Sequence, residues 1–585
     1  MAAGCPETAS STDGSPGTGD PELLRSRSTK LIRETAEAVD ASHGVVCLSG
    51  GVDSTTTAAL AVDALGADAV TALIMPTDTT DEEHVRDARS YADSLGVDHA
   101  TVPLEPALDV FKRYVAPRIA ADGDAVAAGN LAARLRMACA HLVADASDGI
   151  VVGTSNRTER LLGYFTKYGD GAADLHPLGE YDKTAVRALA THLDVPPEIV
   201  SRPPTAGFWR GQTDESELGA SYATLDTVLG SLVDTSPRGP ATAIDEATGV
   251  DRETVTRIVD RVERNAHKRS RPPAPSRTVG DATVESDAGG DDDRAVIGGS
   301  RRAATTVERA QDLVRSRVDA ADAGGVVVDL GAGRESSVAA AIAVEALGAD
   351  RVRGLHLPCH KAAGLDDPAP ESIAEDLGIA DDRVTIRPLV TELEAALPSR
   401  VTERAGATDL GEFVSRVRTA CRYYVANVDD RLVVGTTNRT DTLLGRTTRY
   451  GDAAADLRPL GATYASELDA VGRRLGCSFA YADRCDRRRS GAVGSDSTRG
   501  LPDGASPELT DAILVRLVDH DLGIERTADA VDADRELVRR CAARHVASDR
   551  TRSRPPTTGG RTDGRDAPRY FHELELAFDS SSSDP

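Results

Sequence analysis

The hexapeptide Ser49-Gly50-Gly51-Val52-Asp53-Ser54 gathers residue types that can hold an anion and a cation at one turn. Adjacent glycines let a backbone approach an anion closely, and amides at the start of a following helix point toward it. Ser49 and Ser54 add hydroxyl donors, and Asp53 adds a hard oxygen suited to Mg²⁺. No Gly-Lys-Ser/Thr follows, so this is not a Walker loop. The lysines form a second signal. There are six, Lys30, Lys112, Lys167, Lys183, Lys268 and Lys361, and arginine carries nearly all the remaining positive charge. A lysine inside a motif therefore marks a place where a compact ammonium is wanted and a planar guanidinium would not serve.

Such a loop has to be positioned by a strand that ends at it and a helix that starts from it. Short apolar runs at 44–48, 69–75, 99–103 and 150–153 predict strands, and 52–65, 80–95 and 126–146 predict helices. The alternation predicts an α/β fold, a doubly wound parallel sheet with flanking helices, with ligands beyond the carboxyl ends of its strands. Residues 214–268 read as helical throughout.

The S-G-G-x-D-S loop resembles the pyrophosphate loop of ATP pyrophosphatases, which split ATP into AMP and pyrophosphate. Within that superfamily the chain resembles the ammonia-dependent NAD synthetases over roughly residues 23–273. The likeness rests on Gly129-Asn130 with Ala133 to Met137, Gly153 and Thr154 through Glu159, Gly163 through Asp170, Ala173-Asp174-Leu175, Pro177-Leu178, Pro204-Thr205-Ala206, and Gln212 to Glu215 with Leu218-Gly219. The resemblance implies an adenine nucleotide alpha hydrolase-like fold. It also implies that ATP and ammonia convert deamido-NAD to NAD through an adenylate, releasing AMP and pyrophosphate. Ser49, Gly50, Gly51, Val52, Asp53, Ser54, Thr154, Lys183 and Thr205 would then contact ATP, and Asp53 with Glu159 would bind Mg²⁺. Asp53, Lys183 and Glu159 would carry the chemistry. Arg134, Lys167, Asp174, His267 and Lys268 would contact deamido-NAD. Because ammonia is the nucleophile, no catalytic Cys or Ser is needed; positioning and electrostatics suffice. Trp209 in GFWRGQ is open to either a packing or a ligand role, and His84 and His176 read as surface or structural.

An internal repeat organises the whole chain. Residues 49–68 match 331–350, residues 129–140 match 411–422, and residues 153–179 match 435–461, all at an offset of 282, with 19 of the last 27 positions identical. One offset recurring three times indicates a duplication. In the second copy Ser49 becomes Gly331, Gly50 becomes Ala332, Asp53 becomes Glu335, Glu159 becomes Asp441 and Lys183 becomes Ala465. That copy is expected not to hydrolyse ATP. Arg134 persists as Arg416 and Asp174 as Asp456, while Lys167 becomes Arg449. Relatives of this family resemble obligate dimers with shared dinucleotide sites. Either the second copy forms an intramolecular pseudo-dimer and lends Arg416 and Arg449 to the first, or it only covers an apolar dimer face; a homodimer is the other assembly.

The expected bounds are a loose tail (1–20), a catalytic domain (21–273), an acidic Gly/Asp-rich linker (274–300), a degenerate repeat (301–556) and a tail (557–585), with a break at 487–506 inside the repeat. The residues before the first predicted strand are too few for a glutamine-hydrolysing domain, so ammonia is expected to be used directly or to come from another protein. With 94 acidic against 68 basic residues the net charge is −26, which repels nucleic acid and anionic membranes. Abundant Asp with scarce Lys suits a high-salt, halophilic cytoplasm. The eight cysteines are scattered without a C-x-x-C pair, so free buried thiols are expected. Two rivals remain: another ATP-pyrophosphatase ligase, such as a tRNA-modifying enzyme, and a non-catalytic nucleotide-binding assembly partner.

Overall fold

The computed structural model describes residues 19–120, 123–234, 248–276, 300–331, 333–359, 369–479 and 505–558. The expected tails, the linker and the 487–506 break lie, apart from their ends, outside the described residues, as does Ala332.

Two four-stranded parallel sheets form, each flanked by helices. In the first, β1 (His43–Cys47) is central, with β2 (Val70–Ile74) on one side and β4 (Gly149–Val151) on the other; β3 (Asp98–Thr101) extends the β2 edge. Val45 pairs with both Thr71 and Val151. The second sheet repeats this order with β5 (Gly325–Asp329), β6 (Val352–His356), β7 (Ala380–Arg383) and β8 (Arg431–Val434). The strand order reverses at β1 and β4. A crevice opens at such a switch point beyond the carboxyl ends, and the S-G-G-x-D-S loop leaves β1 there.

Helix α2 (Val52–Leu65) begins at Gly51 and spans the expected residues. Its buried residues are mostly small, Thr55 to Ala59 and Ala61, with Val52 and Leu60 the larger exceptions. Threonine is a poor helix former, but here Thr55 and Thr56 hydroxyls return hydrogen bonds to the carbonyls of Gly51 and Val52. Of the helices that were not anticipated, two pack on this sheet. Helix α1 (Pro21–Glu37) starts on a proline and buries Leu24, Ser28, Ile32 and Ala36, four positions at a spacing of four. A helix over Lys183–His192 buries Val186 and Leu189 in the same core as Val46, Leu60 and Ile150, and Ala190 against Val52 and Tyr91. The 214–268 stretch is broken into Asp214–Leu218, Tyr222–Asp234, Arg252–Arg264 and a 3₁₀ turn Ala266–Lys268, with 235–247 outside the described residues.

The compact units do not follow chain order. One comprises 1–103, 143–269 and 555–562; the other comprises 104–142, 270–554 and 563–585. In the first unit the His176 amide donates to the Pro556 carbonyl at 3.0 Å, and the Thr557 hydroxyl donates to Glu180 at 2.6 Å. In the second unit the Arg458 amide donates to the Pro273 carbonyl at 2.8 Å. Positions 176 and 458 correspond at the repeat offset, so the end of each repeat docks on the same segment of the opposite repeat. The second unit also seats 104–142 of the first repeat: Phe111 meets Tyr424 edge-on at 4.8 Å, and the Arg134 guanidinium lies 4.6 Å over Tyr423.

None of the six described cysteines forms a disulfide; Cys139, Cys359, Cys421 and Cys541 are buried, and Cys47 and Cys477 are partly so. No described helix is long and apolar enough to cross a membrane.

Candidate functional site

The loop after β1 is shaped by a close approach that excludes a side chain. Gly50 sits at φ +79°, and a Cβ there would lie 2.4 Å from the His84 carbonyl oxygen. The Ser54 hydroxyl donates to the Gly51 carbonyl at 3.0 Å and accepts from the Ser49 amide at 3.2 Å, closing the turn on itself. Asp53 then stands in the first turn of α2, 17% exposed. From the other side of the switch point, β4 leads through Thr154 to Asn156, which caps the helix Arg157–Leu162 carrying Glu159. Lys183 arrives on the first turn of its own helix.

These pieces converge. The Lys183 ammonium lies 2.5 Å from Asp53 Oδ2 and 2.8 Å from Glu159 Oε1, with its side chain 2% exposed. Tyr222 places its ring 4.9 Å beneath the ammonium and donates its hydroxyl to Asp214 at 2.8 Å. Burial alone would lower the lysine's pKa; the two carboxylates outweigh burial and hold it above the ordinary lysine range. Burial raises the Glu159 carboxyl to about 7, with Lys183 opposing and Asp53 reinforcing the rise. A cation is therefore needed wherever both carboxylates are charged.

Among the described residues, no group of three or more His, Cys, Asp or Glu could hold a metal ion alone. Asp53 and Glu159 nevertheless fit the way Mg²⁺ is usually bound, through one or two carboxylates with substrate phosphates completing the shell.

The remaining predicted residues are distributed as follows. Thr205 accepts from the Gly207 amide at 3.1 Å on an exposed loop, and Arg202 ties that loop to the Gly50 carbonyl at 3.2 Å while pairing with Asp87. Lys268 donates to the Gly163 and Phe165 carbonyls at 2.7 and 3.0 Å, which holds the 163–165 turn. Lys167 is buried and lies 5.2 Å over Tyr168, a bulky residue held at φ +59°. Strain of that kind persists only where the surroundings enforce it, and Tyr450 repeats it at φ +63°. Asp174 is buried and accepts from the Val151 amide at 2.8 Å; Asp456 does the same for Val433 at 2.9 Å. Retention of that aspartate in both copies thus has a backbone reason. His267 is exposed, with Nδ1 2.9 Å from the Arg264 carbonyl. Arg134 belongs to the second compact unit. There Arg416 bonds Glu412 at 2.8 Å and the Arg449 carbonyl at 3.2 Å, and Arg449 lies 4.9 Å over Tyr450. Trp209 is 38% exposed; His176 is buried, as a structural residue would be.

The three lysines at motif positions are buried or half-buried, whereas Lys30 and Lys112 pair with Glu34 and Glu105 at the surface, 71% and 52% exposed. Three residues escaped the sequence reading: Asn156, Arg202 and Tyr222. Only Asn156 left a trace, as a capping residue three positions before an acid.

In the second repeat the same framework holds different chemistry. Thr440 donates to Asp511 at 2.6 Å and accepts from the Ala465 amide at 2.9 Å, matching Thr158 with Asp226 and Lys183. No ammonium can come from Ala465. Arg446, which stands opposite Tyr164 in the alignment, pairs with Asp441 at 3.2 Å instead.

The profile of the NAD synthase family matches residues 24–272 and 306–486. An NH₃-dependent NAD⁺ synthetase of Halobacterium salinarum is 42% identical over 255 residues, 43% of this chain and 92% of its own length. One from Methanocaldococcus jannaschii is 41% identical over 256 residues, 43% of this chain and 96% of its own. A solved NH₃-dependent NAD synthetase from Campylobacter jejuni is 27% identical, covers 43% of this chain and 98% of that one, and superposes with a TM-score of 0.36.

Proposed function

Because the chain belongs to the NAD synthase family, we propose that its first repeat, residues 21–273, uses ATP and ammonia to amidate deamido-NAD. The carrying observation is Lys183 set between Asp53 and Glu159 at the mouth of the anion-holding loop. The nicotinate carboxylate attacks the α-phosphorus, the bond to the bridging oxygen breaks, and pyrophosphate leaves. Ammonia then attacks the acyl carbon, AMP departs with the former carboxylate oxygen, and the amide sheds a proton to solvent. The loop amides and the hydroxyls of Ser49 and Ser54 hold the polyphosphate, and Lys183 offsets charge as the pyrophosphate departs. Asp53 and Glu159 would hold a magnesium ion, which would supply further charge neutralisation at the polyphosphate. Thr154 and Thr205 are assigned to ATP, and Arg134, Lys167, Asp174, His267 and Lys268 to the dinucleotide. We place the reaction in the cytoplasm, on an acidic, lysine-poor surface suited to high salt, without nucleic-acid or membrane partners.

The degenerate repeat, 301–556, is assigned no turnover and completes a pseudo-dimer. Support comes from the altered residues Gly331, Glu335, Asp441 and Ala465, and from the exchanged ends at Pro273 and Pro556. Arg416 and Arg449 share the second compact unit with Arg134.

Purified protein with ATP, ammonium, magnesium and deamido-NAD should yield AMP, pyrophosphate and NAD. ATP cleavage only with another acceptor would point to a different pyrophosphatase ligase, and nucleotide binding without turnover to an assembly partner. Arg416→Ala should raise the KM for deamido-NAD; an unchanged KM removes the lending role.

A further inference from the structure

Asp53 and Glu159 come from different elements, α2 and the helix Arg157–Leu162, and two side chains join them. Asn156, fully buried, donates Nδ2–H to Asp53 Oδ1 at 2.8 Å and accepts the Glu159 amide on Oδ1 at 2.9 Å. Lys183 closes the circuit from the opposite side, through Asp53 Oδ2 and Glu159 Oε1. The amide thus occupies one oxygen of Asp53 and leaves the other to the ammonium. An aspartate otherwise has freedom about its side-chain torsions, and a donor fixed by a helix cap removes it.

The second repeat provides an internal comparison. Asn438 caps its helix in the same way, accepting the Asp441 amide at 2.9 Å. With the acid lengths exchanged, its Nδ2 turns to Asp441 at 2.7 Å and reaches Glu335 only at 3.4 Å. The cap is indifferent to the acids; the second hydrogen bond tracks them.

We propose that Asn156 is a positioning residue that sets the Asp53 carboxylate for the metal–polyphosphate complex, an inference that rests on the NAD synthetase reading of the first repeat. Asn156→Ser keeps a capping oxygen, adds no charge and cannot reach Asp53. Calorimetry with α,β-methylene-ATP, in MgCl₂ and in EDTA, reads binding without turnover. A charge-assisted hydrogen bond corresponds to about a tenfold to hundredfold change, so affinity in MgCl₂ should fall by about tenfold or more while the EDTA value moves by about twofold or less. In steady state the KM for ATP should rise, and the KM for deamido-NAD should hold. Equal affinity of Asn156→Ser and wild type in MgCl₂ overturns the inference. If the serine variant melts at a lower temperature, Asn156→Asp, which also caps but presents an acceptor to Asp53, decides by the same binding comparison. Wild-type protein that forms no NAD overturns the functional reading instead, because the binding comparison does not depend on turnover.

Discussion

Lys183→Met removes the cation and keeps most of the side-chain volume. In the wild type the ammonium makes two charge-assisted hydrogen bonds, at 2.5 and 2.8 Å, from a position 2% exposed. Leaving buried carboxylates without their partner costs about 3–5 kcal/mol. The cost depends on pH, because Glu159 can escape it by taking a proton. Its carboxyl is raised from an ordinary 4.5 to about 7, so the folded state binds the proton more tightly than the unfolded chain. That contribution is fully present below 4.5 and is lost as pH rises toward 7. Without the ammonium the folded value climbs further, and the loss continues beyond neutrality. The variant should therefore be destabilised by about 3–5 kcal/mol near pH 8, and by about half that near pH 6, where only the Asp53 pair is missing. Turnover should fall by about a hundredfold to a thousandfold, the cost of removing one fixed charge stabiliser from a dry site. Thermal unfolding at both pH values, and NAD formation coupled to a dehydrogenase, measure the two effects. Wild-type turnover, or an equal stability gap at both pH values, refutes the reasoning.

Two further substitutions probe the framework. Gly50→Ala forces a Cβ against the His84 carbonyl at 2.4 Å and an alanine to φ +79°; strain of about 1–3 kcal/mol should lower the melting temperature and raise the KM for ATP. A glycine-like melting curve and KM would show that the loop tolerates a side chain. His545 is buried with Nδ1 2.8 Å from the Leu443 carbonyl, and burial lowers its pKa from 6.5 to about 4, with Arg552 adding to the drop. The unfolded chain then binds the proton first, so stability is intact above 6.5 and lost as pH falls toward 4, by about 3 kcal/mol in all. His545→Asn should flatten melting temperature against pH over that window; an unaltered slope would assign the titration elsewhere.

Local patterns carried much of the architecture. Apolar runs ending at turn residues located all four strands of the first sheet, and the S-G-G-x-D-S loop located the start of α2. Helix α1 was legible in the spacing of Leu24, Ser28, Ile32 and Ala36, but a serine in the stripe and charged residues between obscured it. The convergence of Asp53, Glu159 and Lys183 was reachable by family resemblance; their contacts were not, because they depend on where β1 and β4 part. Asn156 shows why. Its capping oxygen is a local property, whereas its second bond reaches a residue 103 positions away. Arg446 shows the same limit from the other side. Reading across the repeat finds alanine where the lysine stood, yet the replacing cation comes from position 446, since charge compensation depends on space and not on alignment.

The exchanged ends bear on how the molecule is made. On a ribosome, a domain ordinarily closes once its own residues have emerged, amino-terminal first. Here His176 waits for Pro556, and Glu180 for Thr557. Glu180 meets a partner made 377 positions after it, so these contacts close only once the second repeat has been synthesised.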